Sequence, residues 1–230
     1  MVGYQQIEIP NVDLVLFTPT FKGVSGGLDL TTIKIVDETG AEFDPYDAIS
    51  VQVMDNTGAY TDYYSYSPAF YSTGWGYNGA DVNAGDVVIN PGEAFCVNNA
   101  SGQKVFLVVN GEVDLINKNY VPNQDYVLWG NSTPISIDIT DIKLVDAEGN
   151  EFDPFDSVSL QVMDETGAYT EYYSYSPAFY TYGWSNSGTE VSPTEFVIKP
   201  GQSFCVNNAS GQDFYIKLPK PTTYTLPVAE

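Results

Sequence analysis

Apolar and polar residues alternate in short runs along this chain, which suits strands and opposes helices. Ile49-Ser50-Val51-Gln52-Val53 places Ile49, Val51 and Val53 on one face. Asp55-Asn56-Thr57-Gly58 then suits a hairpin turn with glycine in the left-handed position, and Ala59 to Tyr66 returns as the partner strand. Within that strand Tyr60, Asp62, Tyr64 and Tyr66 share one face and Tyr63 takes the other. Ile33 to Val36, Val87 to Ile89, Ala94 to Val97 and Val105 to Val109 read as further strands. They are punctuated by turns at Asp37 to Gly40, Asn90 to Glu93, Asn98 to Gly102 and Asn110 to Glu112. No stretch has the spacing of an amphipathic helix, and aspartate, glycine and the Tyr/Val content work against one.

This pattern is written twice. Asp55 to Trp75 returns as Asp164 to Trp184, and Leu28 to Gln103 aligns without a gap to Ile137 to Gln212, at an offset of 109. Upstream, P-N-x-D-x-V-L-aromatic recurs at an offset of 112, each copy reading as a first strand opened by a Pro-Asn turn. The three-residue difference falls in Thr18 to Gly27, against Gly130 to Ser136, and marks a surface loop. The copies are identical from Tyr63 to Tyr71 and from Phe95 to Gln103, and diverge in Gly76 to Asp86. The fold class expected is all-β: two tandem antiparallel β-sandwiches, Ig-like or jelly-roll-like, over 1–118 and 119–230, with Lys118 to Pro122 as linker.

Charge narrows the function. Thirty acidic side chains face eight basic ones, all lysine, for a net charge of −22. Such a field repels nucleic acid and anionic lipid, and attracts divalent cations. Without histidine there is no Ser-His-Asp or Cys-His nucleophile and no His-ligated metal. The apolar runs are strand-length, so no membrane insertion is expected, and Met1 to Gln6 lacks the character of a signal peptide. Cys96 and Cys205 occupy equivalent positions. They read as small hydrophobes, and can join the repeats only if these pack about a near two-fold axis.

Four features carry candidate chemistry. Tyr64, Tyr66 and Trp75, with Tyr173, Tyr175 and Trp184, form an aromatic set able to stack sugar rings, or else to fill a core. Asp37, Asp44, Asp47, Asp146, Asp153 and Asp156, alongside Glu38, Glu42 and Glu151, supply hard oxygen ligands for calcium, or else acidic surface turns. Asn99 and Asn208 stand in N-glycosylation sequons, as does Asn131, or else in tight turns. Lys34 and Lys143 lie in apolar strands, where a buried lysine can form an isopeptide bond and an edge lysine discourages aggregation.

The run Pro-Gly-x-x-Phe-x-Val-x-Asn-x-Ser-Gly, at Pro91 to Gly102 and Pro200 to Gly211, resembles repeat domains of uncharacterised secreted or surface bacterial proteins. That resemblance implies an extracellular β-domain and supplies no catalytic residues. The function expected is therefore non-enzymatic: a structural protein of the cell exterior that assembles with copies of itself into a layer, fibre or filament. Its terminal segments, Met1 to Pro10 and Lys220 to Glu230, are the expected assembly strands. The alternatives are a carbohydrate-binding or adhesion module and a virion fibre or decoration protein.

Overall fold

A computed structural model describes residues 2–11, 14–22, 26–55, 57–113, 118–124, 126–163 and 169–219. The first repeat holds β1 (Val2–Ile9), β2 (Val15–Phe17), β3 (Phe21–Lys22), β4 (Leu28–Asp29), β5 (Lys34–Val36), β6 (Ile49–Met54), β7 (Tyr60–Tyr66), β8 (Trp75–Tyr77), β9 (Ala80–Asp81), β10 (Val88–Ile89), β11 (Phe95–Asn99) and β12 (Val105–Val113). The second holds β13 (Lys118–Val121), β14 (Val127–Gly130), β15 (Ile137–Asp138), β16 (Lys143–Val145), β17 (Val158–Met163), β18 (Tyr169–Tyr173), β19 (Ser185–Asn186), β20 (Thr189–Glu190), β21 (Val197–Ile198), β22 (Ser203–Asn208) and β23 (Phe214–Lys217). Among the described residues there is no α-helix, only one 3₁₀ turn per repeat, Leu30–Thr32 and Ile139–Asp141.

Each repeat builds a sandwich from its own strands. A six-stranded antiparallel sheet, β2-β11-β6-β7-β8-β9, faces a smaller one in which β12 pairs with β1 on one side and with β3 and β5 on the other. The second repeat matches it with β14-β22-β17-β18-β19-β20 and β13-β23-β16. Phe95, Val97, Val51, Tyr66 and Trp75 from one layer meet Ile9, Ile35, Val105 and Leu107 from the other, all buried. Side chains at every second position enter this core, as a pleated strand with one dry face requires. Trp75 closes it from above, its indole N–H donating to the Ile33 carbonyl at 2.8 Å.

Several boundaries differ from expectation. Lys118–Val121 is a strand on β23 and not a linker, so the second repeat's sheet begins there. Asn110 to Glu112 continues β12, where Gly111 lies so close to Lys22 that an added Cβ would stand 2.6 Å from its carbonyl oxygen. Met1 to Pro10 is not a free arm over its described part, because β1 pairs along its length with β12. The tail from Lys220 and the turn from Asp164 to Ala168 lie outside the described residues.

Identical sequence does not give identical structure. In the first repeat Val51 stands opposite Tyr64, and a bulge between Val53 and Met54 absorbs an extra residue at the far end of β7. In the second, Leu160 stands opposite Tyr172, one residue out of step. There the extra residue is Ser174, held at φ 66° with its N–H on the Val158 carbonyl. A one-residue slip exchanges the two faces of a strand. Tyr64 is therefore 7% exposed and Tyr63 46%, whereas Tyr173 is 44% exposed and Tyr172 8%. Residues outside the identical block account for the choice. Tyr64 packs on Tyr77 at 5.2 Å, where the second repeat has Asn186. Tyr172 stacks on Phe196 at 4.6 Å, where the first repeat has Val87. The first bulge also corrects the face expected for Tyr60. It pairs with Met54, turned away from Tyr64, and Cys96 Sγ lies 3.8 Å from its hydroxyl.

The repeats meet through the outer faces of their six-stranded sheets. Leu16, Met54, Ala94 and Cys96 from one side pack with Leu128 and Cys205 from the other. The contacts are reciprocal. Thr18 donates its N–H to the Gly201 carbonyl, and Gly130, its counterpart, donates to the Gly92 carbonyl, each at 3.1 Å. The two thiols are free, and burial raises the pKa of each.

Candidate functional site

The sequence D-P-aromatic-D leaves an aromatic side chain on a loop with nothing apolar above it. Asp44 Oδ1 accepts the N–H of Tyr46 at 2.9 Å and the hydroxyl of Ser67 at 3.0 Å. These bonds hold Tyr46 and Asp47 in succession at φ 50° and 62°, a left-handed conformation that non-glycine residues rarely adopt. The buried Ser67 starts the second element. Its carbonyl accepts the N–H groups of Phe70 and Tyr71, and its own N–H reaches the Gly74 carbonyl, closing Ser67-Pro68-Ala69-Phe70-Tyr71 into a tight turn. Tyr71 is tucked under, its ring on the bare α-carbon of Gly76. Phe70 points out and meets Tyr46 edge to face, with ring centroids 6.3 Å apart.

The second repeat builds the same tip despite its slipped strand. Asp153 accepts from the Phe155 N–H and the Ser176 hydroxyl, and Phe155 and Asp156 stand at φ 43° and 61°. Phe155 meets Phe179 at 6.1 Å. The four outer rings are between 61% and 74% exposed. Single exposed apolar residues are ordinary; here an exposed edge-to-face pair, with one ring on left-handed backbone, stands at the same place in both copies. Carboxylates border it. Asp47 and Asp81 both raise the pKa of the Tyr71 phenol, after its burial. Asp81 also accepts from the Ser72 N–H and hydroxyl.

The residues singled out from sequence fare differently. Five of the six aromatics, Tyr64, Tyr66, Trp75, Tyr175 and Trp184, are buried and can stack on no ligand; they are core because each sheet has one dry face. Tyr173 alone is exposed, through the register slip. The six aspartates do not gather, and among the described residues no group of three or more Asp, Glu, Cys or His side chains converges as a cation cage. Their oxygens serve their own turns: Asp37 accepts from Thr39 and Ala41, and Asp146 from Asn150. Asn99 is buried, and its amide donates to the carbonyls of Ile9, Pro10 and Gln103; Asn208 donates to Pro122 and Gln212. A glycan on either nitrogen is incompatible with those bonds. Asn131 is buried likewise.

Lys34 is exposed and pairs with Glu42 at 2.9 Å, which corrects the isopeptide expectation: the neighbour is a solvated carboxylate. Glu42 also accepts the Tyr66 phenol at 2.6 Å, and this bond, then Lys34, lowers its pKa against a burial penalty. Lys143, Glu151 and Tyr175 repeat the trio. Among the described residues no helix is long and apolar enough to cross a membrane.

No family model matches the chain, and comparison with curated proteins and with solved structures finds no match. The tips do not stand out in the sequence because Asp44 to Asp47 and Asp153 to Asp156 read there as acidic turns, with no sign of which ring stays uncovered. The signal was present in the shared D-P-aromatic-D and S-P-A-F-Y runs, whose prolines and aspartates mark turns that carry a ring with no strand around it.

Proposed function

We propose that this protein is a non-enzymatic adhesion module of the cell exterior, binding a repetitive neutral glycan through its two aromatic tips. The observation that carries the reading is the exposed pair Tyr46 and Phe70 with its counterpart Phe155 and Phe179. Rings flanked by carboxylates suit the apolar faces and hydroxyl groups of sugars, and a neutral polymer is not repelled by a net charge of −22. Two weak sites on one chain gain by avidity on a repeating ligand, by about 10²- to 10⁴-fold where both engage at once. A polysaccharide array tests it. Binding should fall steeply in Tyr46→Ala and in Phe155→Ala, each with one tip left, and vanish in the double variant. Equal binding by all four proteins would reject the reading.

Self-assembly is the second reading, and one observation favours it. Strand β1 lies at a sheet edge, with no partner on its outer side among the described residues. Sedimentation across salt concentration separates the two: an assembling chain grows as salt screens its charge, whereas an adhesion module stays at one mass.

A further inference from the structure

The join between the repeats is reciprocal in its backbone and unequal in its side chains. On one side the hydroxyls of Thr18 and Ser203 bridge it at 2.7 Å. Their counterparts, Gly130 and Ala94, have no side-chain polar atom to bridge with. Beside Ala94 opens a cleft of about 500 Å³, with walls from both repeats: Met54 and Ala94 from the first, Tyr120, Val127 and Leu128 from the second. That size is ordinary for a small-molecule site, and apolar walls with a few polar groups are the usual composition.

Two carboxylates line the same cleft. Strands β6 and β11 pair as far as Val53 with Phe95, and two residues past that pair the chain carries Asp55 on one side and Glu93 on the other. Asp55 is half-buried and Glu93 exposed, so solvent reaches both. Asp55 Oδ1 accepts from the Thr57 N–H and hydroxyl and from the Ala59 N–H, and the Thr57 hydroxyl does most to hold its carboxyl below the usual range. Glu93 accepts the backbone and side-chain N–H groups of Asn90. All of these donors are neutral, so neither charge is cancelled. Among the described residues no lysine pairs with either carboxylate and none lines the cleft. The second repeat does not repeat the pair: Lys199 and Gln202 stand where the first has Asn90 and Glu93. Tyr120 adds an exposed aromatic ring, its phenol held by Asp213 at 2.7 Å, and such a ring attracts an ammonium group over its face.

We infer that this cleft binds a compact organic cation, its ammonium group taken by Asp55 and Glu93 and its apolar body by Met54, Val127, Leu128 and the Tyr120 ring. The site shares no residue with the aromatic tips and does not rest on the glycan reading. An anion of the same shape is repelled, and a neutral molecule of that shape loses the attraction of two charges.

The test is titration of the full chain at constant ionic strength, followed by ¹⁵N–¹H NMR of its backbone amides. Cyclohexylammonium is the probe. Cyclohexanol keeps its shape without the charge, cyclohexanecarboxylate reverses the charge, and the ammonium ion keeps the charge without the body. The expected result is movement of the Asp55, Ala94 and Leu128 signals, with those of Tyr46, Phe70, Phe155 and Phe179 unmoved. Cyclohexylammonium should bind about tenfold more tightly than each control. Glu93→Gln places there the residue of the second repeat, where Gln202 accepts the Lys199 N–H at 3.0 Å and so keeps the turn. Asp55→Asn keeps an acceptor oxygen for Thr57 and Ala59. Each should lower cyclohexylammonium affinity about fivefold and leave cyclohexanol binding unchanged. Asn90→Lys with Glu93→Gln rebuilds the second repeat's turn and should abolish cation binding. Signals unmoved by cyclohexylammonium would overturn the proposal. Equal response to cyclohexanol would overturn it as well, leaving an apolar groove blind to charge. So would an equal response to the ammonium ion, which leaves only the general pull of a net charge of −22.

Discussion

Tyr64 and Tyr173 occupy the same position in the two repeats and lie on opposite faces of their sheets. Their immediate neighbours in sequence are identical, so the difference is tertiary. Truncation should therefore have opposite weights in the two copies. Tyr64→Ala and Tyr172→Ala are expected to cost about 3 kcal/mol or more, and Tyr173→Ala and Tyr63→Ala about 1 kcal/mol or less. Urea denaturation of the four variants decides it; equal costs for Tyr64 and Tyr173 would contradict the slip.

The partners that select each register can be exchanged. Tyr77→Asn with Val87→Phe gives the first repeat the surroundings of the second. Strand β7 is expected to slide by one residue, exposing Tyr64 and burying Tyr63. Amide hydrogen exchange along β7 would report the altered pairing with β6, and an unchanged protection pattern would refute it.

Asn99 is a structural residue. Its amide satisfies three carbonyls, and its oxygen accepts from the Ser101 N–H and hydroxyl. Asn99→Ala should cost about 2–4 kcal/mol, since several buried groups lose their partner together. Asn99→Asp should cost a comparable amount, because it places a carboxylate against the carbonyls that now receive N–H groups. Thermal melting measures both.

The join between the repeats is tight at Gly130. A Cβ on Gly130 would stand 2.0 Å from Thr18 Oγ1 and 2.7 Å from the Gln202 carbonyl oxygen. Gly130→Ala should lower stability by about 2 kcal/mol or more and loosen the contact between sheets. Calorimetry of that variant and of the unsubstituted chain measures the loss, and equal melting of the two would contradict it.

Acid should destabilise the fold over a defined window. Asp37, Asp55, Asp146 and Asp213 have pKa values lowered chiefly by hydrogen bonds from Thr39, Thr57, Asn150 and Tyr120, and Glu42 by the bond from Tyr66. A carboxyl depressed in the folded state stabilises fully above its ordinary value, 3.8 for Asp and 4.5 for Glu, and loses that contribution as pH falls through the folded value. Tyr66 and Tyr175 work in the other direction. Their phenols are raised by burial and then by Glu42 and Glu151, so stability is present below pH 10 and lost as pH rises beyond it. Unfolding free energy should be level from about pH 5 to 9 and decline on both sides.

The layered β architecture was readable because period two and turn chemistry are local. Asp55 to Gly58 closes as expected, with Gly58 at φ 82°, and Ile49 and Val51 are buried as the alternation requires. What failed was parity. A bulge at Val53 and Met54 reverses Tyr60, and Ser174 reverses Tyr172 and Tyr173; neither carries a mark in sequence, since both depend on packing from distant strands. Lys118–Val121 was misplaced for a related reason, because a Lys-Asn pair reads as loop until β23 is there to pair with it. The tips were legible as turns and not as a site, because exposure of a ring depends on what the rest of the fold leaves uncovered.

The mutual contacts of Thr18 with Gly201 and of Gly130 with Gly92 have the form of a homodimer interface, each half offering the other the same patch. In a dimer of separate chains, any substitution appears twice. Once the halves share one polypeptide they are free to diverge, so Phe17 and Trp129 can face each other's territory with different chemistry. Covalent linkage thus lets a symmetric contact carry different side chains on its two sides.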